Sequence, residues 1–138
     1  MPSASAVITI GFCGFGHWLC QQSKEELAHA VKIIKYMQNR GANIVFTTIE
    51  QPSNQWISLI DVFESTLKHE QYITSSICHL INVAIEEKDF ATINFLNWYI
   101  EEQMEEESQA ECILQKLKYA ENDKAAVLMM NEKLSKRD

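Results

Sequence analysis

Apolar side chains recur at steps of three and four residues along three long stretches of the chain. These stretches cover about 12–40, 58–87 and 89–117. Such spacing places the apolar residues on one face of an α-helix, because the helix turns once every ~3.6 residues. We therefore predict three long amphipathic helices. A shorter apolar pattern over 124–136 predicts a fourth.

Residues that favour helix ends lie at the borders of these stretches. Gly41 follows the first and can take the left-handed conformation that terminates a helix. Ser58 precedes the second, with Asp61 at the capping-box position, and Asp89 is a suitable cap for the third. The short gap before Asp89 predicts that the second and third helices are antiparallel neighbours. The Asn122-Asp123 pair separates the third helix from the fourth.

One long connection, 42–56, joins the first two predicted helices and contains Pro52. Helix connections in bundles are usually ~2–8 residues, so this length predicts a crossover that returns the chain along the bundle. Residues 1–11 show no helical period and are expected to form an irregular lead-in. The predicted fold class is all-α: a single domain over 1–138 with one long crossover and a short C-terminal helix.

Polar residues interrupt each long apolar stripe near the middle of its helix. They are Glu26 and His29 on the first, Glu70 on the second, and Gln103 and Glu106 on the third. Each of these residues alone has an ordinary explanation: it lies on a solvent-exposed face of its helix, or the apolar stripe is assigned one position away from its true place. Together they suggest more, because antiparallel helices of similar length bring their midpoints to one level. Buried carboxylates are unfavourable unless paired, and a cation with carboxylate and imidazole ligands stabilises them; iron, manganese and zinc suit such ligands.

A second acidic set accompanies this one. Five of the seven residues from 101 to 107 are glutamates, and Glu102, Glu105 and Glu106 share one side of the predicted helix. Glu25 lies beside Glu26 on the first helix. The ordinary interpretation is a solvated acidic face. The alternative is an antechamber next to the buried site, where a cation would relieve the repulsion.

Composition restricts the function further. The net charge is −7 at neutral pH, which argues against nucleic-acid binding, and no apolar stretch is long enough to span a bilayer. Four cysteines lack the CxxC spacing of metal sites and are expected to be buried free thiols of a cytoplasmic protein: Cys13, Cys20, Cys78 and Cys112.

Two long segments carry a specific family resemblance. They are QQSKEELAHAVKIIKYMQNRGA and FESTLKHEQYITSSICHLINVAIEEKDFATINFLNWYIEEQMEEE, which contain the EExxH, HEQ and WYxxEQxEEE motifs in order. The chain resembles bacterial non-haem ferritin from about 12 to 134. The resemblance implies a ferritin-like bundle that oxidises Fe(II) with dioxygen or peroxide and stores Fe(III) mineral in a shell of 24 subunits.

The resemblance also implies a ligand set for a non-haem di-iron centre. Glu26 and His29 would hold one iron, and Glu26, Glu70 and Glu106 the other, with Gln103 beside them. A third iron position would use Glu25, Glu102, Glu105 and Glu106.

Residues 1–10 depart from the family pattern. Ferritins begin with another long helix, which supplies a glutamate to the first iron and a nearby tyrosine. Residues 1–10 correspond to its end and the following turn, yet contain no Glu, Asp, His or Tyr. The N-terminal helix is therefore expected to be missing, which leaves the first iron without its third ligand and predicts impaired ferroxidase activity.

A missing core-facing helix would remove about five buried side chains, or roughly 10 kcal/mol, against a domain stability of only ~5–15 kcal/mol. The resulting apolar groove predicts self-association or co-assembly with a full-length ferritin. The alternative function is thus a non-catalytic shell or interaction subunit. A third explanation is a shortened or misassigned start of a longer ferritin chain.

Overall fold

A computed structural model describes residues 11–50 and 56–137 of the chain, and four helices lie in these ranges. They are α1 (Cys13–Asn39), α2 (Leu59–Glu86), α3 (Phe90–Tyr119) and α4 (Lys124–Leu134). The described residues contain no strand, which confirms the all-α prediction. The predicted lead-in falls almost entirely on residues 1–10, which lie outside the described ranges.

The chain divides into two compact units. One contains α1 and α4, and the other, residues 56–122, contains α2 and α3. A single domain over 1–138 stays a prediction.

The first helix ends as its sequence predicts. Gly41 has a φ of +69°, in the left-handed region that glycine adopts without a steric penalty. Its N–H donates to the carbonyl of Gln38 at 2.9 Å, and the N–H of Ala42 donates to Met37 at 2.9 Å. These two bonds form a Schellman motif, which satisfies carbonyls that the end of a helix leaves exposed.

The predicted capping box begins α2. Ser58 Oγ accepts from the Asp61 N–H at 3.1 Å. Asp61 Oδ2 accepts in return from the N–H of Ile57, also at 3.1 Å. The return bond therefore reaches one residue further back than in the usual motif.

A three-residue turn joins α2 to α3. Lys88 adopts a left-handed φ of 55°, although it is not glycine. The next residue, Asp89, caps α3 by accepting from the N–H of Thr92 at 3.1 Å and from its hydroxyl at 2.7 Å. The turn reverses the chain, so α2 and α3 are antiparallel neighbours, as predicted.

The predicted stripe of α3 forms the core of this unit. All seven of its members are buried: Leu96, Tyr99, Gln103, Glu106, Ala110, Ile113 and Leu117. From α2, Phe63, Ile77 and Ala84 are buried as well. The periodicity of the sequence therefore identifies the core face of both helices.

In the other unit, α4 packs against the first turns of α1. Phe12, the N-cap residue of α1, provides no side-chain cap. Asn131 Oδ1 takes that role and accepts from the N–H groups of Gly14 at 2.8 Å and Phe15 at 3.2 Å. No residue of α4 is fully buried, and Met129 is 72% exposed.

The prediction of buried cysteines is wrong. All four are free thiols and exposed. Cys20, Cys78 and Cys112 each lie one residue from a buried stripe position, and a helix turns by ~100° per residue, which directs them away from the core.

Of the helices described, none is both long and apolar enough to cross a membrane.

Candidate metal centre

The α2–α3 unit places three predicted site residues in its core. Glu70 is 1% exposed, Gln103 1% and Glu106 6%. Their burial confirms that the polar interruptions lie on the core faces of their helices. Burial of two carboxylates in one small unit is unfavourable without compensating partners.

Gln103 provides one such partner for Glu70. Its Nε2 donates to the Glu70 carbonyl at 3.2 Å and to Glu70 Oε2 at 3.3 Å. The amide therefore fixes both the backbone and the carboxylate of Glu70 from the neighbouring helix. The Glu70 carboxylate is therefore held in one orientation.

Thr74 and Glu107 form a second link between the same helices. The Thr74 hydroxyl lies 3.1 Å from the Glu70 carbonyl and is in close contact with Glu107 Oε1. In the sequence, Glu107 is distinguished only as a member of an acidic run. The signal that could have found it is its spacing, because Glu107 follows Gln103 by one helical turn, as Thr74 follows Glu70.

In the α1–α4 unit, Glu26 and His29 lie together on α1. His29 Nδ1 is 3.8 Å from Glu26 Oε2, and the side chains are 13% and 28% exposed, respectively. They are therefore less buried than predicted. Periodicity identifies the face of α1 on which they lie, but not the depth to which that face is covered.

The second acidic set is less uniform than the sequence suggested. Glu25 Oε2 accepts from Arg137 Nη2 at 2.5 Å. Glu105 is exposed and accepts from Gln109 Nε2 at 3.0 Å, while Glu102 is half-buried. An antechamber formed by these residues stays a prediction.

The donor atoms suit a cation, although only in part. Glu26 Oε1 is buried and accepts no hydrogen bond from the described residues. An anionic oxygen in that position is stabilised by a cation, and carboxylate with imidazole suits iron. Within 11–50 and 56–137, however, no three side chains of His, Cys, Asp or Glu are grouped closely enough to hold a metal. A complete ligand sphere is therefore a prediction.

Tyr99, from the WYxxEQxEEE motif, is an aromatic core residue. It packs against the rings of Phe95 and Trp98, with centroids 5.4 and 4.8 Å away. Burial raises the pKa of its phenol to about 12. Tyr99 therefore keeps its proton throughout the physiological range.

Comparison with known proteins decides the family. The model of the Ferritin family, described as a ferritin-like domain, matches residues 3–120. The chain belongs to the ferritin-like family. A probable bacterial non-heme ferritin-like protein of Haemophilus influenzae is 38% identical over 124 residues, which are 90% of this chain and 75% of that protein. A bacterial non-heme ferritin of Staphylococcus aureus is 36% identical over 124 residues, which are also 90% of this chain and 75% of that protein.

Solved ferritins agree with this assignment. An open pore ferritin from the hyperthermophilic archaeon Archaeoglobus fulgidus matches with a TM-score of 0.96 and 41% identity. The match covers 98% of this chain and 83% of that one. An engineered closed form of the same ferritin matches with the same TM-score, and 82% of its chain is covered. The ferritin fold predicted from the sequence is confirmed.

Proposed function

We propose that this ferritin-like protein binds Fe(II), oxidises it to Fe(III) and contributes to iron storage. Glu26, His29, Glu70 and Glu106 would be its iron ligands, with Gln103 positioning Glu70. Glu25, Glu102 and Glu105, together with Glu106, would serve a further iron position. Iron is here the substrate and the stored product.

The observation that carries this proposal is the buried set on α2 and α3. Glu70 and Glu106 are both core residues, and Gln103 fixes the Glu70 carboxylate. Two buried anions in the core oppose folding unless a cation or a proton neutralises them. Fe(II) provides that charge, and its oxidation transfers one electron per iron to dioxygen or peroxide, after which Fe(III) binds the same hard oxygen ligands more strongly.

The ferroxidase rate would depend on Glu26 and His29, which the resemblance assigns to the first iron position. A di-iron reaction needs both metals held together, so the loss of either residue would slow it.

Anaerobic Fe(II) titration tests the binding step. We expect the Glu70→Ala/Glu106→Ala variant to bind less iron per chain than the parent protein. Glu101→Ala/Glu111→Ala is the matched control, since it removes two exposed acids from α3. Equal stoichiometry in the parent and the Glu70/Glu106 variant would refute the proposed ligands. Admitting air and following ferric absorbance then measures oxidation.

Exposed apolar side chains on α1 favour an assembled protein and a second candidate function. Leu27 is 66% exposed and Val31 38%. We propose that the chain forms a homo-oligomer, with 24 subunits as in the family, in the cytoplasm. The second candidate is a non-catalytic subunit that co-assembles with an intact ferritin. Native mass spectrometry of the protein alone tests the homo-oligomer, and the same measurement on a mixture with an intact ferritin tests co-assembly. A stable monomer that joins no shell contradicts both assemblies.

A further inference from the structure

The C-terminal turn carries an arginine that reaches back to α1. Arg137 follows α4 and is only 18% exposed. Its Nη1 donates to Gln22 Oε1 at 3.0 Å, and its Nη2 donates to Glu25 Oε2 at 2.5 Å. The guanidinium carbon also lies 4.8 Å from the centre of the Trp18 ring. Three separate partners on one helix therefore hold a single guanidinium.

The backbone of this turn is fixed as well. His17 Nε2 lies 2.7 Å from the Arg137 carbonyl oxygen. A carbonyl can only accept, so His17 donates from Nε2. Together with the Asn131 cap, this bond attaches both α4 and the residue that follows it to α1. The position of Arg137 is thus a consequence of α4 docking.

Glu25 consequently has two competing uses. A cation bound to its carboxylate would lie within a few ångströms of a guanidinium that touches the same group, and two positive charges at that separation repel each other. Glu25 is 41% exposed, so a cation can approach it from solvent. The Glu25 carboxylate receives one guanidinium nitrogen, Nη2, because Nη1 contacts Gln22.

We propose that Arg137 is a built-in counter-ion of Glu25, and that cation binding at Glu25 and docking of the C-terminal turn oppose each other. With the turn docked, Arg137 neutralises Glu25 and lowers its affinity for a divalent cation. When a cation occupies Glu25, Arg137 is displaced and the turn loosens. This inference rests on the proposed function only in that a cation reaches Glu25; it does not require iron oxidation.

Mn(II) provides a probe that tests binding without oxidation. We define the Glu25 site as the Mn(II) binding that Glu25→Gln removes in a calorimetric titration. Arg137→Gln should tighten this site about fivefold, the change expected when a partly exposed ion pair of ~1 kcal/mol is lost. Lys136→Gln is the matched control, because it removes the same charge from the neighbouring exposed residue. Arg137→Lys keeps the charge but not the planar guanidinium, so its Mn(II) affinity at Glu25 should lie between those of the parent and Arg137→Gln.

Hydrogen exchange provides a readout that affinity alone does not. Saturating Mn(II) should accelerate amide exchange over 124–137 in the parent protein and leave it unchanged in Glu25→Gln. In Arg137→Gln this segment should exchange faster before any metal is added.

Several results would overturn the inference. One is Mn(II) binding that Glu25→Gln does not reduce; another is equal affinity in Arg137→Gln and the parent. Unchanged exchange over 124–137 on Mn(II) loading is a third. Each of these leaves the proposed Glu70 and Glu106 ligands intact. Failure of the proposed function would appear instead as Fe(II) stoichiometry that Glu70→Ala/Glu106→Ala does not alter.

Discussion

Gly14 permits a close approach between α1 and α4. A Cβ at this position would lie 1.7 Å from the Asn131 carbonyl oxygen and 2.6 Å from its carbonyl carbon. Both are backbone atoms, so no side-chain rotation relieves the overlap. Gly14→Ala therefore requires α4 to retreat by roughly 1.5–2 Å to restore an ordinary van der Waals separation.

The retreat has a calculable consequence. It would lengthen the two hydrogen bonds from Gly14 and Phe15 to Asn131 Oδ1 beyond a useful distance. Each contributes ~0.5–1.5 kcal/mol net, whereas alanine adds less than ~1 kcal/mol of helix propensity near a helix end. We expect Gly14→Ala to lower the free energy of unfolding by about 1–2 kcal/mol. Helix propensity alone predicts the opposite, a more stable protein, because alanine favours helix more than glycine does.

Urea unfolding at fixed protein concentration, followed by far-ultraviolet circular dichroism, measures this change. Ser23→Ala, at an exposed position of the same helix, is the control and should be neutral or stabilising. Amide exchange over 124–134 should increase in Gly14→Ala only. A stabilised Gly14→Ala protein with unchanged exchange would refute the close approach of α4. Because a displaced α4 also withdraws Arg137, the variant should tighten Mn(II) binding at Glu25.

Three further predictions concern the α2–α3 unit. Lys88→Gly should raise the free energy of unfolding by about 0.5–1 kcal/mol, because glycine adopts the left-handed backbone conformation of this position without steric strain. Glu87→Gly, at a position where φ is −79°, is the control and should lower the free energy of unfolding. A lower free energy of unfolding in Lys88→Gly would contradict the turn geometry. Gln103→Leu should lower the free energy of unfolding by about 1–2 kcal/mol and weaken Fe(II) binding, because Glu70 loses its amide donor. Unchanged Fe(II) titration and urea unfolding curves would argue against a role of Gln103 in holding Glu70. The raised pKa of Tyr99 means that the folded state holds the phenol proton more tightly than the unfolded state. The free energy of unfolding is therefore retained below pH 10 and falls between about pH 10 and 12. Tyr99→Phe should remove that part of the alkaline loss of stability, and a variant with the same pH profile as the parent would exclude this contribution of Tyr99.

The α2–α3 unit shows what local sequence determines. Helix ends depend on residues within one turn, and Ser58 and Asp89 cap α2 and α3 as predicted. Periodicity likewise identified Glu70 and Gln103 as core residues, because a helix fixes which side chains share a face. The exposure of Cys20, Cys78 and Cys112 follows from the same rule, applied one residue away from the stripe.

Periodicity identifies the face of a helix but does not report what covers it, and the α1–α4 unit shows the difference. Glu26 and His29 lie on the predicted face, yet their side chains are only partly buried. The contact between Glu25 and Arg137 joins residues 112 positions apart, and no sequence period relates them. The sequence by itself determined the helices, their ends and the candidate ligands. Only the tertiary structure decided that α4 docks through Gly14 and brings an arginine to one of those ligands, because that contact depends on how closely two distant segments approach.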